Sequence, residues 1–317
     1  MKIALLGAGF SRNWGGLLAS EVLARLLGRL DRTHPDLHRM LVERRNFEEV
    51  LGTVQQDALR GAADAIAQLE AMETAIQRVF DEMNGHFARN ILDLDVFSRP
   101  NLVARSVHAF LARFDAIFSL NQDLLLECHY RPELRLNNRW PGWYEPGIVF
   151  PAGWRDRPAI ERIESVLPIG DYEEAPNLQP IYKLHGSVNW RSQRGLPLMI
   201  VGSGKAAAID GDLLLRRYFA KFQECLLAGD TRIVAIGYSF SDRHIDDAIE
   251  AAGQRGLRMF VLNPSGLDAL DRLPRGAVGY SPGPLSAVTA GFSIRQLAAI
   301  FGDDDLEREA LEQFIEG

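Results

Sequence analysis

Cysteine is almost missing from this chain. Its 317 residues include two, Cys128 and Cys225. Two thiols cannot build a four-thiolate zinc site, and they do not suggest a disulfide framework. A reducing compartment fits them best. Long apolar runs are also lacking: none reaches the ~20 residues a membrane-spanning helix needs. The opening Met1-Lys2-Ile3-Ala4-Leu5-Leu6 carries one positive charge. Its apolar stretch is too short for the hydrophobic region of a secretory signal, so it reads as a buried strand and the protein is expected to be cytoplasmic. There is no basic excess, with 35 Lys and Arg against 42 Asp and Glu and a net charge of −7. That argues against a general nucleic-acid binder, though not against a local basic patch. Neither an internal repeat nor a low-complexity linker is visible.

What is present is ordinary for a soluble globular protein, at 47% hydrophobic and 24% charged residues. The length suggests roughly two domains and is ample for a full core. The pattern of elements is that of an α/β chain, a Rossmann-like parallel sheet flanked by helices. It is read as a single unit, 1–317, with a helical insertion at 40–115 and a loop-rich insertion at 131–178.

Ile3 to Leu6 is a continuous apolar strand of the kind buried on both faces of a parallel sheet. Gly7-Ala8-Gly9-Phe10-Ser11 follows, then a helix from about Gly16 to Leu30. Strand, glycine turn and helix is the layout that attracts an anion to backbone N–H groups. The third glycine of the dinucleotide fingerprint is missing, since position 12 is arginine. The G-x-G alone is equally the mark of a tight β-α turn.

Residues 40–115 show helical spacing, as in Phe47, Val50, Leu51 and Val54, or Leu102, Val103, Val107 and Phe110. A second strand, Asp115–Leu120, ends in Asn121-Gln122-Asp123. That is a turn signal, and also a way to aim an amide and a carboxylate into one crevice. Residues 131–178 lose periodicity and are rich in Pro, Gly and Trp, including Trp140, Trp143 and Trp154. Such a long stretch reads as a lid, an assembly surface or an ordered excursion pinned by its rings.

Ile181-Tyr182-Lys183-Leu184-His185-Gly186-Ser187-Val188-Asn189-Trp190 is a strand that stops at a histidine and a glycine. It places an imidazole at the carboxyl edge of the sheet, where open α/β sheets bind ligands. Gly202-Ser203-Gly204-Lys205 lacks the spacing of a P-loop and is rejected as one. A helix is expected over 212–228. The strand Thr231–Ile236 ends in Gly237-Tyr238-Ser239-Phe240-Ser241-Asp242. Asp242 is a good N-cap for a helix Arg243–Ala252. The strand Leu257–Leu262 ends in Asn263-Pro264, and a last amphipathic helix covers Asp303–Phe314.

Gly7-Ala8-Gly9-Phe10-Ser11, Asn121-x-Asp123, Lys183-Leu184-His185-Gly186-Ser187, and Gly237-Tyr238-Ser239-Phe240 followed by Asn263 occur in a fixed order at strand ends. Together they resemble the sirtuin superfamily, most of all its prokaryotic branch of NAD-cleaving antiphage-defence proteins. The resemblance covers about half the chain and leaves the insertions out. It implies that Gly7, Ala8, Gly9, Phe10 and Ser11 hold a pyrophosphate. Asn121 would position the nicotinamide-bearing ribose and a water, and Asp123 would contact the carboxamide. His185 would act as general base, and Gly237, Ser239 and Asn263 would hold the adenosine side. Deacetylating sirtuins carry a four-cysteine zinc module, which this chain cannot form. The resemblance therefore favours hydrolysis of NAD to nicotinamide and ADP-ribose over protein deacetylation, with NAD as substrate and no metal.

Three functional classes follow from these residues. The first is an NAD hydrolase gated by assembly. The second is a non-catalytic module that binds NAD or ADP-ribose and scaffolds a defence complex. The pairing of Asn121 with His185 favours the enzyme. A dehydrogenase is disfavoured, because the acidic ribose ligand would have to be Asp31, at the end of a helix rather than after a second strand. A constitutive NAD hydrolase would poison its own cell, so control is expected from outside. The resemblance suggests a homo-oligomer beside a HerA-type ring ATPase, or alternatively a short Argonaute, with no direct nucleic-acid contact and no membrane.

Overall fold

The computed structural model describes residues 1–30, 34–90, 94–95, 106–132, 139–202, 204–271 and 283–317. Asp31, Leu102, Val103 and Ser203, all invoked above, lie outside the described residues.

The strands, in chain order, are β1 (Lys2–Leu6), β2 (Ala116–Ser119), β3 (Trp143–Tyr144), β4 (Leu167–Pro168), β5 (Gln179–Lys183), β6 (Gly186–Arg191), β7 (Pro197–Met199), β8 (Arg232–Ile236), β9 (Arg258–Leu262) and β10 (Thr289–Ser293). Seven of them form one sheet in the order β10-β9-β8-β1-β2-β5-β3, and every pairing in it is parallel. β1 lies at its centre, with Ile3, Ala4, Leu5 and Leu6 at most 1% exposed. This is the Rossmann-like α/β architecture anticipated from the apolar strand runs. From β1 the chain goes to β2 on one side and later returns to β8 on the other. The strand order thus reverses between β1 and β8, and a crevice opens there at the carboxyl edge.

A smaller sheet, β4-β6-β7, starts almost where β5 stops. Leu184 and His185 make the turn between β5 and β6. Gly186 permits it: its φ is +75°, and a Cβ there would sit 2.3 Å from the Leu198 carbonyl oxygen.

Between β1 and β2 the helices Pro35–Arg44, Phe47–Leu59, Ala65–Arg89 and Val107–Leu111 bury Leu41, Val50, Val54, Ile76 and Val79. Asn46 caps the second of these, accepting from the N–H groups of Glu48 and Glu49.

Two sequence expectations are corrected, and one strand is unanticipated. The helix after the glycine turn is two helices, Ala8–Arg12 and Ala19–Leu30. Asn13 ends the first by donating its amide to the Gly9 and Phe10 carbonyls. Asp242 precedes the helix Arg243–Gly253, but its carboxylate caps nothing and is drawn instead to Lys205. β10, with Ala290 and Gly291 in a five-residue strand, carries too weak a pattern to be read in advance.

In the loop-rich stretch, Trp140, Trp143 and Trp154 are buried. The Trp143 and Trp154 rings meet edge-on at 6.3 Å, and Trp143 donates to the Tyr130 carbonyl. These rings anchor the segment inward. Any surface it offers a partner is built from other residues.

Candidate functional site

The turns after β1 and β8 lie directly on each other. Gly7 N–H donates to the Ile236 carbonyl and Gly9 N–H to the Gly237 carbonyl, each at 2.9 Å. Gly237 has φ +62°, and a Cβ on it would lie 2.4 Å from the Gly9 backbone. No side chain fits between these two loops, so the backbone itself forms the floor of the crevice. Asn263, after β9, ties in the next loop: it donates to the Tyr238 carbonyl at 2.8 Å and accepts from Ser265 N–H. Ser239 and Ser241 share a hydroxyl contact of 2.8 Å at its rim.

Asn121 stands on the turn after β2. Its amide donates to the Gly7 carbonyl at 2.9 Å and to Ser11 Oγ at 3.0 Å. The amide is therefore oriented by the glycine turn before any ligand arrives. Asp123 is buried below it, accepting from Leu125 N–H at 3.1 Å. Burial raises its pKa, opposed by the Lys183 charge, the Leu125 N–H and Ser11.

His185 is 1% exposed. Its Nε2 lies 3.3 Å from Nε2 of His244. Two facing imidazole nitrogens bond when one carries a proton and the other a lone pair. In the tautomer with Nδ1 of His185 protonated, its Nε2 holds the lone pair and His244 donates Nε2–H to it. Burial drives the His185 imidazole down to about 3, with the Asp242 charge opposing it. The ring is neutral at physiological pH. Burial likewise lowers His244, again against Asp242.

Lys205 bridges two walls of the crevice. Its ammonium meets Asp242 at 2.8 Å and Glu48 of the helical insertion at 3.0 Å. Burial works against the Lys205 charge, but the two carboxylates hold its pKa above the ordinary value. Burial alone would raise Asp242; His185 and His244 where they are protonated, and the Lys205 ammonium throughout, outweigh that and keep it low. Glu48 is raised by burial despite Lys205.

A cleft of about 1040 Å³ runs along this edge, at the top of the usual range for small-molecule sites. It is lined by Gly7, Ala8, Gly9, Asn121, His185, Gly237, Ser239 and Asn263. Phe10, Ser11 and Asp123 are not on its wall. They border a void of about 10 Å³ beneath it, shared with Asn121 and Lys183, room for about one water. The structure thus brings eight of the eleven anticipated residues to one cleft and puts three directly behind it. Nothing in the sequence pattern assigns a site role to His244, or to Lys205 beyond the rejected phosphate loop. Among the described residues, no three or more His, Cys, Asp and Glu side chains are grouped to hold a metal ion, and no helix is long and apolar enough to cross a membrane.

No protein-family model matches the chain, and no curated protein matches it. Among solved structures it is similar to a Sir2 homologue in complex with NAD, 14% identical, with 99% of this chain and 90% of that one covered and a TM-score of 0.43. It is also similar to a mutant Sir2 homologue in complex with ADP-ribose, 13% identical, covering 98% of this chain and 93% of that one at a TM-score of 0.44. At such identities and TM-scores the chemistry of the cleft has to stand on this chain's own residues.

Proposed function

We propose that this chain binds NAD across the carboxyl edge of its sheet and hydrolyses the bond between nicotinamide and ribose. The observation that carries this reading is the convergence of an oriented amide, Asn121, and a neutral imidazole, His185, on a crevice floored by bare glycine backbone. Backbone N–H groups at such a turn suit a pyrophosphate. The Sir2 homologues of similar chain course were determined with NAD and ADP-ribose, which is consistent with this ligand.

The chemistry asks little of the protein. Departure of nicotinamide passes through an oxocarbenium-like state. The leaving group departs as a neutral molecule, so no general acid is needed. Water adds at the ribose carbon and gives up one proton, yielding ADP-ribose and nicotinamide. His185 is the base: a neutral ring with its Nε2 lone pair toward His244 and the cleft. A ribose hydroxyl or the attacking water takes the place that the His244 N–H fills, so His244 keeps the buried nitrogen satisfied while no ligand is bound.

One observation favours a second reading. Nε2 of His185 is already engaged by His244, as in a module that binds NAD or ADP-ribose and does not turn it over. Titrating the purified chain with ADP-ribose, alongside an assay for nicotinamide release, separates the two readings: binding without release supports the module.

The biological setting we propose is depletion of cytoplasmic NAD in antiphage defence. A homo-oligomer of the chain would be held inactive until it docks on a partner, a HerA-type ATPase in preference to a short Argonaute. Light scattering tests the assembly: a monomer that hydrolyses NAD at full rate unaided contradicts it.

A further inference from the structure

Lys183 is the last residue of β5 and is 2% exposed. A lysine this deep has three N–H donors to place. One goes to Glu127, on the helix Leu125–His129 that follows the Asn121–Asp123 turn. A second goes to the backbone carbonyl of Asp123, in the turn itself. The third goes to Ser187 Oγ at 2.8 Å, in the strand that follows the His185 turn. Two segments that are far apart in sequence, 123–127 and 183–187, meet at one nitrogen. Lys183 does not line the large cleft; it borders the small void beneath Asn121 and Asp123.

Stability alone does not account for this arrangement. Glu127 is 3% exposed, and a buried ion pair is commonly no better than two apolar side chains of similar volume. A further carboxyl, Glu145, lies close by. Burial, followed by the Glu127 charge, pushes it well above the carboxylate range. What apolar side chains could not do is bind the Asp123 carbonyl and Ser187 at once. Two backbone bonds also link the segments, Val188 N–H to the Gln122 carbonyl and Leu184 N–H to the Ser119 carbonyl, and neither reaches Asp123.

We propose that Lys183 is a positioning residue: its ammonium holds the turn bearing Asn121 and Asp123 in register with the turn bearing His185. The claim rests on the reading that Asn121 and His185 carry the chemistry, and it is tested so that the two can fail separately. Removing Lys183 alone would strand Glu127, so the informative variant is the double Lys183→Met/Glu127→Met, with Lys183→Arg as a charge-keeping companion should the double variant not fold. Each is compared with wild type for kcat and KM in nicotinamide release from NAD, and for amide hydrogen exchange over residues 119–126 and 184–189. We expect folded protein, kcat lowered about 100-fold by small misplacement of the two turns, KM within about threefold, and faster exchange confined to those two segments. A folded variant with wild-type kcat and wild-type exchange overturns the assignment. If wild type releases no nicotinamide, the hydrolase reading fails, and exchange in the two segments alone decides the role of Lys183.

Discussion

Nε2 of His185 and Nε2 of His244 lie 3.3 Å apart, close enough for one imidazole to donate to the other. In the proposed reaction His244 is the donor and His185 the acceptor. If a ligand hydroxyl takes over that donor position, His244→Phe should keep nicotinamide release within about threefold of wild type. The ring still packs against Phe219, 5.6 Å away in the wild type. The unliganded fold should lose about 1–3 kcal/mol, the cost of an unsatisfied buried nitrogen. A 100-fold loss of kcat in a folded variant would show that His244 itself takes part in the reaction.

The depressed pKa of His185 has a signed consequence for stability. Its folded value is about 3, against about 6.5 in an unfolded chain. Above pH ~6.5 both states are neutral and the group contributes no pH dependence. Below it the unfolded chain binds a proton that the folded one refuses, so stability falls with pH by up to ~1.4 kcal/mol per unit. His129 and His244 are shifted in the same direction, chiefly by burial. Urea melts of wild type and His185→Gln between pH 7 and pH 4 should show wild type losing its advantage as pH drops. Parallel curves would mean that the ring accepts a proton in the folded state.

Gly237→Ala should damage fold and site together. The new methyl would meet the Gly9 backbone at 2.4 Å, on a residue with φ +62°. Strain and displacement together should cost on the order of 3 kcal/mol, and ADP-ribose affinity should fall with it. Thermal unfolding and calorimetric titration read the two effects. A variant as stable as wild type would mean that the two loops are not in contact.

Chelation should leave the activity untouched. Burial pushes the Cys128 thiol to about 12 and the Cys225 thiol to about 11, so neither is a ready thiolate for a metal. Nicotinamide release after exhaustive treatment with a chelator checks this. Loss that zinc restores would contradict it.

Much of this was legible in the residues because buried parallel strands leave strong local traces. Ile3–Leu6 and Ile233–Ile236 are apolar runs closed by glycines, and Lys183-Leu184-His185-Gly186 ends a strand on a histidine that lines the cleft. The partners of those residues left no such trace. His244 lies 59 positions from His185 and Lys205 lies 37 from Asp242, and only the crossing of the chain over the sheet unites them. Asp242 shows how a local rule is overridden: its position is that of a helix cap, but a buried ammonium nearby is the stronger partner. The role of Ser11 was hidden for a similar reason, since its hydroxyl serves Asn121 from below.

The most direct test of the central claim is nicotinamide release from NAD by the purified chain, alone and with candidate partners, compared with His185→Ala and Asn121→Ala. Wild type should release nicotinamide in at least one of these settings. Both variants should fall to background while keeping a wild-type melting profile. Full release by a well-folded His185→Ala protein, or none by wild type in any setting, would contradict the account.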